Sequence, residues 1–325
     1  MTVSDEAAGD RQVSNPLVSA PLVRLKELRR EFGANVAVAG LTFDVDAGEL
    51  FGIVGPDGAG KTTTLRMLAG VLRPTSGDAI IAGQSVYEQP ELVKPSLAYM
   101  PQRFGLYEDL TVSENLDFYA DLYRVPRADR PARLERLYHF SRLDEFKGRL
   151  AGALSGGMKQ KLSLSCALIH QPALLLLDEP TFGVDPISRR DLWLILHEMV
   201  AEGVTVIAST SYMDEAERFD HVALLDEGRL LALDTPQALQ QSWPGVLVSA
   251  QTQDLRGARD ALRRMEHVQD AALFGDRIHV VVSDEDSWRS ARDDLEQTGF
   301  EVVHDEVITP SLEDVFLSLV GAGDE

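Results

Sequence analysis

The chain has 325 residues, of which 44% are apolar and 26% charged, and its formal net charge is −21. Such a negative charge argues against nucleic acid as a partner, because binding phosphates requires clustered lysine and arginine side chains. No apolar run reaches the roughly 18 residues of a membrane-spanning helix. Residues 1–21 lack the apolar segment of a signal peptide, so we predict a disordered tail and a cytoplasmic protein.

Residues 22 to about 49 alternate between apolar and polar positions, which predicts antiparallel strands with one face exposed to solvent. An apolar strand at 50–54 then runs into GPDGAGKTT, which fits the phosphate-binding P-loop pattern G-x-x-x-x-G-K-T. Its glycines allow a tight turn whose N–H groups point at phosphates, and Lys61 supplies a positive charge. Thr62 offers a hydroxyl to Mg²⁺. We therefore predict a nucleoside triphosphate site made of Gly55, Asp57, Gly58, Ala59, Gly60, Lys61, Thr62 and Thr63.

The pattern becomes helical after Thr111, which can cap a helix whose third residue is Glu114. We interpret about residues 103–160 as an inserted helical lobe. Near its end lies LSGGMKQ, in which a Ser-Gly-Gly turn opens a helix. A hydroxyl, free N–H groups and the helix dipole then point one way, which predicts a second anion site, although an ordinary capped helix has the same form. The residues of this second site are Ser155, Gly156 and Gly157.

Beyond residue 160, helices alternate with strands at 173–177 and 204–208, which predicts a parallel sheet covered on both faces. The first of these strands ends in Asp178 and Glu179. Ligands bind at the carboxyl ends of strands in open α/β sheets. We therefore predict that Asp178 holds Mg²⁺ and that Glu179 orients or deprotonates the water attacking the γ-phosphate. The alternative is an Asp-Glu pair that merely ends a strand.

The helical pattern breaks at residues 243–245, where we place the boundary to a small acidic domain of residues 246–325. Residues 251–325 contain 18 acidic residues and 7 arginines, which form a solvated surface or a docking face for a basic partner. The elements predicted are strand, helix, hairpin, helix and strand, a ferredoxin-like α+β arrangement. Their ranges are 246–249, 255–265, 271–274, 278–282, 287–297 and 300–303. A final helix opens at Ser311.

The order of P-loop, LSGGMKQ and Asp-Glu resembles that of the ATP-binding cassette (ABC) family, in which LSGGMKQ is similar to the signature motif. The resemblance covers about residues 22–240. It implies a P-loop NTPase fold with a RecA-like parallel sheet, an antiparallel β-subdomain and the helical lobe. In that family, two cassettes hold two ATP molecules head to tail, each between one subunit's P-loop and the other's signature. The resemblance therefore implies ATP and Mg²⁺ as cofactors and a dimer.

Three further residues match positions of the family. Gln102 matches the glutamine that contacts Mg²⁺ and water, and residues 103–106 would then contact a membrane subunit. Phe32 lies near the position of the aromatic residue that stacks on adenine. Asp185 matches the residue that crosses the dimer interface. Taken singly, each has a plain alternative: a solvated glutamine, a core phenylalanine and an aspartate in a turn.

The chain departs from the family at its switch motif. The family usually reads S-T-H-x-x-D-E-A-E, and this chain reads STSYMDEAE from residue 209. Ser211 thus stands where a histidine normally contacts the γ-phosphate. A serine hydroxyl is shorter than an imidazole and neutral. Losing one preorganised donor typically costs about 10²–10³ in rate, so fast hydrolysis is in question.

Our leading hypothesis is the ATP-hydrolysing subunit of an ABC transporter, held at the inner face of the membrane by a separate permease. Residues 309–317 resemble the ends of cassettes that energise exporters of drugs and small molecules. The second ATPase subunit would be another copy or a different cassette. One alternative is a degenerate or regulatory cassette that binds ATP but hydrolyses it slowly, as Ser211 suggests. Another is a cassette ATPase of translation or DNA repair. Tandem cassettes or a long coiled coil in the sequence would indicate that class.

Overall fold

The computed structural model describes residues 20–103 and 105–321. Most of the predicted N-terminal tail, residues 1–19, and Phe104 of the segment after Gln102 lie outside the described residues. Within the described ranges, we find no helix with the length and apolar character needed to cross a bilayer.

Strands and helices are numbered in chain order. The strands are β1 (Val23–Phe32), β2 (Asn35–Val45), β3 (Leu50–Val54), β4 (Ser76–Ile81), β5 (Gln84–Ser85), β6 (Leu97–Met100), β7 (Leu174–Asp178), β8 (Thr205–Thr210), β9 (His221–Asp226), β10 (Arg229–Asp234), β11 (Val246–Thr252), β12 (Val268–Phe274), β13 (Arg277–Val282) and β14 (Val302–Ile308). The helices are α1 (Lys61–Leu68), α2 (Pro90–Val93), α3 (Val112–Leu122), α4 (Arg130–Ser141), α5 (Gly156–Leu168), α6 (Pro186–Ala201), α7 (Met213–Ala216), α8 (Pro236–Gln241), α9 (Leu255–Leu262), α10 (Glu285–Gln297) and α11 (Leu312–Gly321).

Two sheets form the larger part of the molecule. The first is antiparallel, with strand order β2-β1-β4-β5, and the second has the order β10-β9-β3-β8-β7-β6. Strands β9, β3, β8, β7 and β6 run parallel, and β10 is antiparallel at one edge. The predicted antiparallel region and parallel sheet are therefore both present.

The strand β7 shows how the parallel sheet is covered on both faces. All five of its residues are buried. Leu174 and Leu176 belong to the apolar cluster that contains Leu65 of α1, whereas Leu175 and Leu177 belong to the cluster of α5 and α6. Successive side chains of a strand point to opposite faces, so an unbroken apolar run is what a strand between two helical layers requires.

The helical lobe begins with the cap predicted from the sequence. The amide of Glu114 donates to Oγ1 of Thr111 at 3.2 Å, and the amide of Thr111 donates to Oε2 of Glu114 at 2.8 Å. Two free amides at the start of α3 are thereby satisfied. Helix α3 packs against α5, which begins at Gly156 and continues to Leu168 beneath the parallel sheet's edge strand β6.

The C-terminal region has the predicted order of elements: β11, α9, β12, β13, α10 and β14. Its strands form an antiparallel sheet in the order β12-β13-β11-β14. The predicted range of the last strand, 300–303, was wrong, because β14 runs from Val302 to Ile308. This edge strand carries polar residues at 304–306, and Val303 and Val307 are 61% and 55% exposed, so apolar periodicity does not reveal its length.

Helix α11 lies against both parts of the molecule. Its residues Leu312, Val315 and Phe316 belong to the apolar cluster of the parallel-sheet domain, next to α7 and α8. On another side, Oδ1 of Asp314 lies 2.7 Å from Nδ1 of His279 in β13. The core of the C-terminal sheet, between its strands and α9 and α10, is a separate cluster. The last helix therefore docks on the first domain, although its sequence follows the second.

A candidate nucleotide-binding site at the P-loop

The P-loop connects β3 to α1, as predicted from the sequence. Gly60 has φ +96°, and a Cβ there would lie 2.5 Å from the carbonyl oxygen of Ala37. A Cβ at Gly55 would lie 2.1 Å from the carbonyl oxygen of Leu225. Both positions need glycine, the first for its left-handed backbone and the second for its close neighbour. The loop is thus held against two strands while its residues 57–63 face an open cavity.

This cavity has a volume of about 670 Å³ and combines five parts of the chain. The P-loop, Gln102 and Glu179 line it, as predicted from the sequence. The remaining lining residues, which were not predicted, are Asn35, Val36, Ala37 and Glu227. Asn35, Val36 and Ala37 directly follow the turn between β1 and β2. Because Phe32 immediately precedes that turn, its predicted place beside the nucleotide could have indicated these three residues as well. Phe32 itself is 47% exposed beside the turn, with the Arg30 guanidinium 4.5 Å from its ring centre, and is not among the lining residues.

Asp178 lies at the floor of the site and is 1% exposed. Its Oδ1 accepts hydrogen bonds from Oγ1 of Thr62 at 2.8 Å and Oγ of Ser209 at 3.0 Å. The hydroxyl of Tyr99 lies 3.3 Å from its Oδ2. Burial and the Asp178 charge raise the pKa of Tyr99 to about 12, so this phenol keeps its proton at neutral pH. The carboxylate is therefore fixed by hydroxyl donors from three separate elements.

The donor set at this floor fits a magnesium ion. Mg²⁺ prefers oxygen ligands and is commonly bound through one or two carboxylates together with substrate phosphates. Thr62 supplies a hydroxyl, Asp178 a carboxylate and Gln102 a side-chain amide, and Thr62 and Gln102 line the cavity. These three residues are the ones that would hold the ion.

Glu179 follows Asp178 and enters the cavity from an unusual backbone conformation. Its φ is +48°, a left-handed value that costs energy for a residue with a side chain. The amide of Glu179 donates to Oγ of Ser209 at 3.0 Å, and Nε2 of Gln102 donates to its Oε2 at 2.8 Å. The structure thus brings Gln102 and Glu179 together at the cavity.

Lys61, Glu179 and Ser211 form one cluster of polar contacts. Nζ of Lys61 donates to the carbonyl oxygens of Gly55 and Pro56 at 2.7 and 2.9 Å, and to Oγ of Ser211 at 2.9 Å. It also lies 3.4 Å from Oε1 of Glu179. Oγ of Ser211 lies 2.8 Å from the same carboxylate oxygen. Ser211 therefore contacts both the P-loop lysine and the carboxylate proposed to act on water.

The signature residues lie in a second place, outside this chain's own cavity. Ser155 caps α5 by accepting from the amide of Met158 at 3.3 Å, and Ser155 and Gly156 are exposed. A Cβ at Gly157 would lie 2.3 Å from Oγ of Ser188, so this glycine is required by the close approach of α6.

Asp185 caps α6 next to the signature. Its Oδ1 accepts from the amide of Ser188 at 3.0 Å. Hydrogen bonds from the backbone and side chain of Ser188 lower the pKa of Asp185, which keeps the carboxylate charged. The predicted residues thus fall into a P-loop group and a signature group on one chain.

Comparison with known proteins agrees with this geometry. The sequence profile of the family described as ABC transporter matches residues 38–182. The chain is 45% identical over 288 residues to the probable multidrug ABC transporter ATP-binding protein YbhF of Escherichia coli, covering 88% of this chain and 49% of that protein. It thus spans about half of that relative.

Two further comparisons cover nearly the whole of the matched protein. The chain is 35% identical over 302 residues to the Nod factor export ATP-binding protein I of Burkholderia lata, covering 92% of this chain and 97% of that protein. A solved structure of the ATP-binding subunit of an ABC transporter is 33% identical, with a TM-score of 0.61, and covers 68% of this chain and 92% of that one. The chain therefore has the ABC ATPase fold and belongs to the family of ABC transporter ATP-binding proteins.

Proposed function

We propose that this chain binds and hydrolyses ATP as the motor subunit of an exporter, acting on a separate membrane permease. The observation that carries the proposal is the meeting of Lys61, Gln102 and Glu179 at the P-loop cavity, with the hydroxyl of Ser211 in contact with two of them. Relatives named for multidrug transport and Nod factor export support the exporter class. Such a subunit works at the inner face of the membrane, attached through the permease.

The chain's own residues suggest how hydrolysis proceeds. The P-loop amides and Lys61 bind the phosphates, and Thr62, Asp178 and Gln102 would hold Mg²⁺, which would neutralise phosphate charge. Glu179 orients the water and accepts its proton as the new bond to the γ-phosphorus forms and the bond to ADP breaks. Gln102 holds the second oxygen of that carboxylate at 2.8 Å. The products are ADP and phosphate.

Lys61 has to change partners when a triphosphate enters. An ammonium group has three donors, and here they serve two carbonyl oxygens and Ser211. A contact to a phosphate therefore replaces at least one of these hydrogen bonds. The contact to Ser211 is the one that also leads to Glu179, so nucleotide binding acts on the arrangement of the carboxylate.

A head-to-tail dimer would supply the second phosphate-binding group. Ser155 and Gly156 are exposed on this chain, away from its own cavity, and Asp185 caps the adjacent helix. A subunit whose signature faces solvent can close over the P-loop of a partner. The partner is either a second copy or a different cassette, and closure upon ATP binding would drive the permease.

The experiment compares ATP-dependent dimerisation of the wild type with Lys61→Ala and Asp178→Asn. We expect the wild type to bind Mg-ATP and dimerise, measured by calorimetry and light scattering, and both variants to remain monomeric. Lys94→Ala is the control. Lys94 is exposed, lies directly after α2 and pairs with Glu91 of that helix. Dimerisation that persists in both site variants contradicts the shared-site proposal.

A second candidate function is a regulatory cassette that binds ATP and hydrolyses it slowly. The observation that favours it is Ser211 at the switch position, where the short hydroxyl is already engaged with Lys61 and Glu179. Such a subunit would pair with a faster partner. A measurable rate from the purified chain alone, lost in Glu179→Gln, separates the leading proposal from this one.

We further infer that residues 246–308 form a ferredoxin-like domain. The order of its elements and its strand order β12-β13-β11-β14 support this assignment. The ATP-binding domain then comprises residues 22–240. Helix α11 packs on α7 and α8 of that domain. The acidic surface of the small domain offers a basic partner a docking face.

A further inference from the structure

We propose that Glu215 is a positioning residue that holds the Glu179 loop and the Ser211 loop in a fixed relation. This inference rests on the proposed hydrolysis of ATP at Glu179. Glu215 lies in α7, is 1% exposed, and does not line the P-loop cavity. It therefore acts through other residues and not on the nucleotide.

One oxygen of this buried carboxylate joins two loops. Oε2 of Glu215 accepts from Oγ1 of Thr210 at 2.7 Å and from Oγ1 of Thr181 at 2.9 Å. Thr210 directly precedes Ser211, and Thr181 comes two residues after Glu179. A hydrogen bond to a buried charged group is stronger than one between neutral groups, so a single atom fixes both threonines.

The other oxygen of Glu215 faces helix α6. Nε1 of Trp193 donates to Oε1 at 3.3 Å, and Nε of Arg189 lies 3.6 Å away. These contacts offset the cost of burying the charge and hold the carboxylate against a rigid element. Glu215 thus has a fixed position from which it can hold the loops.

The Glu179 loop needs such support. Glu179 has φ +48°, and a strained conformation persists only where the surroundings determine it. The amide of Glu179 is held by Ser209, and Thr181 on the far side of the strained residue is held by Glu215. The strained residue is therefore anchored on both sides.

The Ser211 loop is supported in the same way. Oγ1 of Thr210 donates to Glu215 and accepts from the amide of Tyr212 at 3.0 Å. This threonine closes a short turn around Ser211. The distance of 2.8 Å between Ser211 and Glu179 is thus set by two hydrogen bonds that end on one oxygen atom.

The kinetic test uses Thr181→Val and Thr210→Val, which keep the shape of the side chain and remove one hydroxyl each. We expect each to lower kcat for ATP at least tenfold while the Kd for Mg-ATP changes less than twofold. Glu215→Gln should lower kcat as well. Adding Thr181→Val to Glu215→Gln should cost less than Thr181→Val costs in the wild type, because the shared hydrogen bond is already disturbed.

The control is Asp314→Asn, since Asp314 is another buried carboxylate with hydroxyl and ring partners, located away from the cavity. It should lower the melting temperature and leave kcat unchanged well below that temperature. The proposal is overturned if the two valine variants keep the wild-type kcat. It is also overturned if Asp314→Asn loses kcat to the same extent at an equal loss of thermal stability.

Hydrogen exchange tests the same proposal without relying on catalysis. The amide of Phe182 donates to the carbonyl oxygen of Glu179, and the amide of Tyr212 donates to Thr210. Exchange at both amides should increase in Glu215→Gln and stay unchanged in Asp314→Asn. Increased exchange within α7 alone, with the amides of Phe182 and Tyr212 unchanged, contradicts the inference. Should the wild type hydrolyse no ATP, the proposed function fails while the exchange result still decides the role of Glu215.

Discussion

The hydroxyl of Ser211 lies 2.8 Å from Oε1 of Glu179 and 2.9 Å from Nζ of Lys61. The serine thereby connects the lysine that would bind phosphate with the carboxylate that would act on water. A hydroxyl has one proton, so donating to Glu179 leaves none for a phosphate oxygen. The distance between the lysine and the carboxylate, 3.4 Å, adds a charge attraction to the same cluster. A changed side chain at Ser211 should therefore alter turnover.

We predict that Ser211→His raises the rate of ATP hydrolysis by on the order of 10², because an imidazole supplies a longer and chargeable donor. The measurement is phosphate release at saturating Mg-ATP. Ser211→Ala is the control and should be no faster than the wild type. An unchanged or lower rate in the histidine variant would mean that serine, or a residue of a partner, already supplies the needed interaction.

Gly157→Ala should separate nucleotide binding from dimer closure. The added methyl group would lie 2.3 Å from Oγ and from Cβ of Ser188, so α5 and α6 must move apart. Overpacking of this kind typically costs about 1–3 kcal/mol. We expect lower stability to urea and loss of ATP-dependent dimerisation, while the monomer still binds Mg-ATP. Gly157 is not among the residues that line the P-loop cavity, so the phosphate-binding loop should be retained.

Gly148→Ala is the matched control for this variant. No heavy atom lies within 4 Å of the position that its Cβ would take, so the change should stay within about 0.5 kcal/mol. Equal behaviour of the two alanine variants would contradict the close packing of the signature turn against α6.

The docking of α11 on the ATP-binding domain can be tested with two adjacent residues. Phe316 is 8% exposed and belongs to the core cluster of that domain, whereas Leu317 is 46% exposed. Truncating a buried phenylalanine costs about 3–5 kcal/mol, so Phe316→Ala should lower the free energy of unfolding by about 3 kcal/mol. Leu317→Ala should cost about 1 kcal/mol or less. Equal losses measured by urea unfolding would argue against the docking.

The sequence predicts best those features whose chemistry is local. The P-loop turn, the start of α1 and the Thr111 cap each depend on residues a few positions apart, and the structure has all three. The cavity wall at Glu227 could not be predicted in this way, because this residue is far from the P-loop in the chain. The partners of Glu215 likewise come from three elements.

Helix α11 illustrates another limit of sequence patterns. An amphipathic pattern predicts the helix and its apolar face, yet it does not say which surface covers that face. The structure places it on α7 and α8, across a domain boundary. Strand β14 shows a different limit, because its three central residues are polar and Val303 and Val307 are exposed, so it has no apolar alternation.

The pH dependence of stability should reveal the hydrogen bond between Asp314 and His279. Burial acts to raise the pKa of Asp314, but hydrogen bonds from His279 and Ser311 outweigh it and lower that pKa below its usual value. A carboxylate with a lowered pKa in the folded state stabilises the protein above its unfolded pKa, about 3.9. That stabilisation is lost as the pH falls through the folded value.

We therefore predict that Asp314→Asn lowers the free energy of unfolding at pH 7 by about 1.5–3 kcal/mol, the range for hydrogen bonds to charged groups. The difference from the wild type should shrink as the pH falls below about 4, because the carboxyl of the unfolded chain protonates there and the native carboxyl follows at a lower pH. Urea unfolding between pH 7 and pH 3 measures the loss of stability at pH 7 and its change with pH. Glu313→Gln, at the exposed neighbour, should show little difference from the wild type. A difference for Asp314→Asn that stays constant across this range would mean that its charge contributes nothing to the contact between α11 and β13.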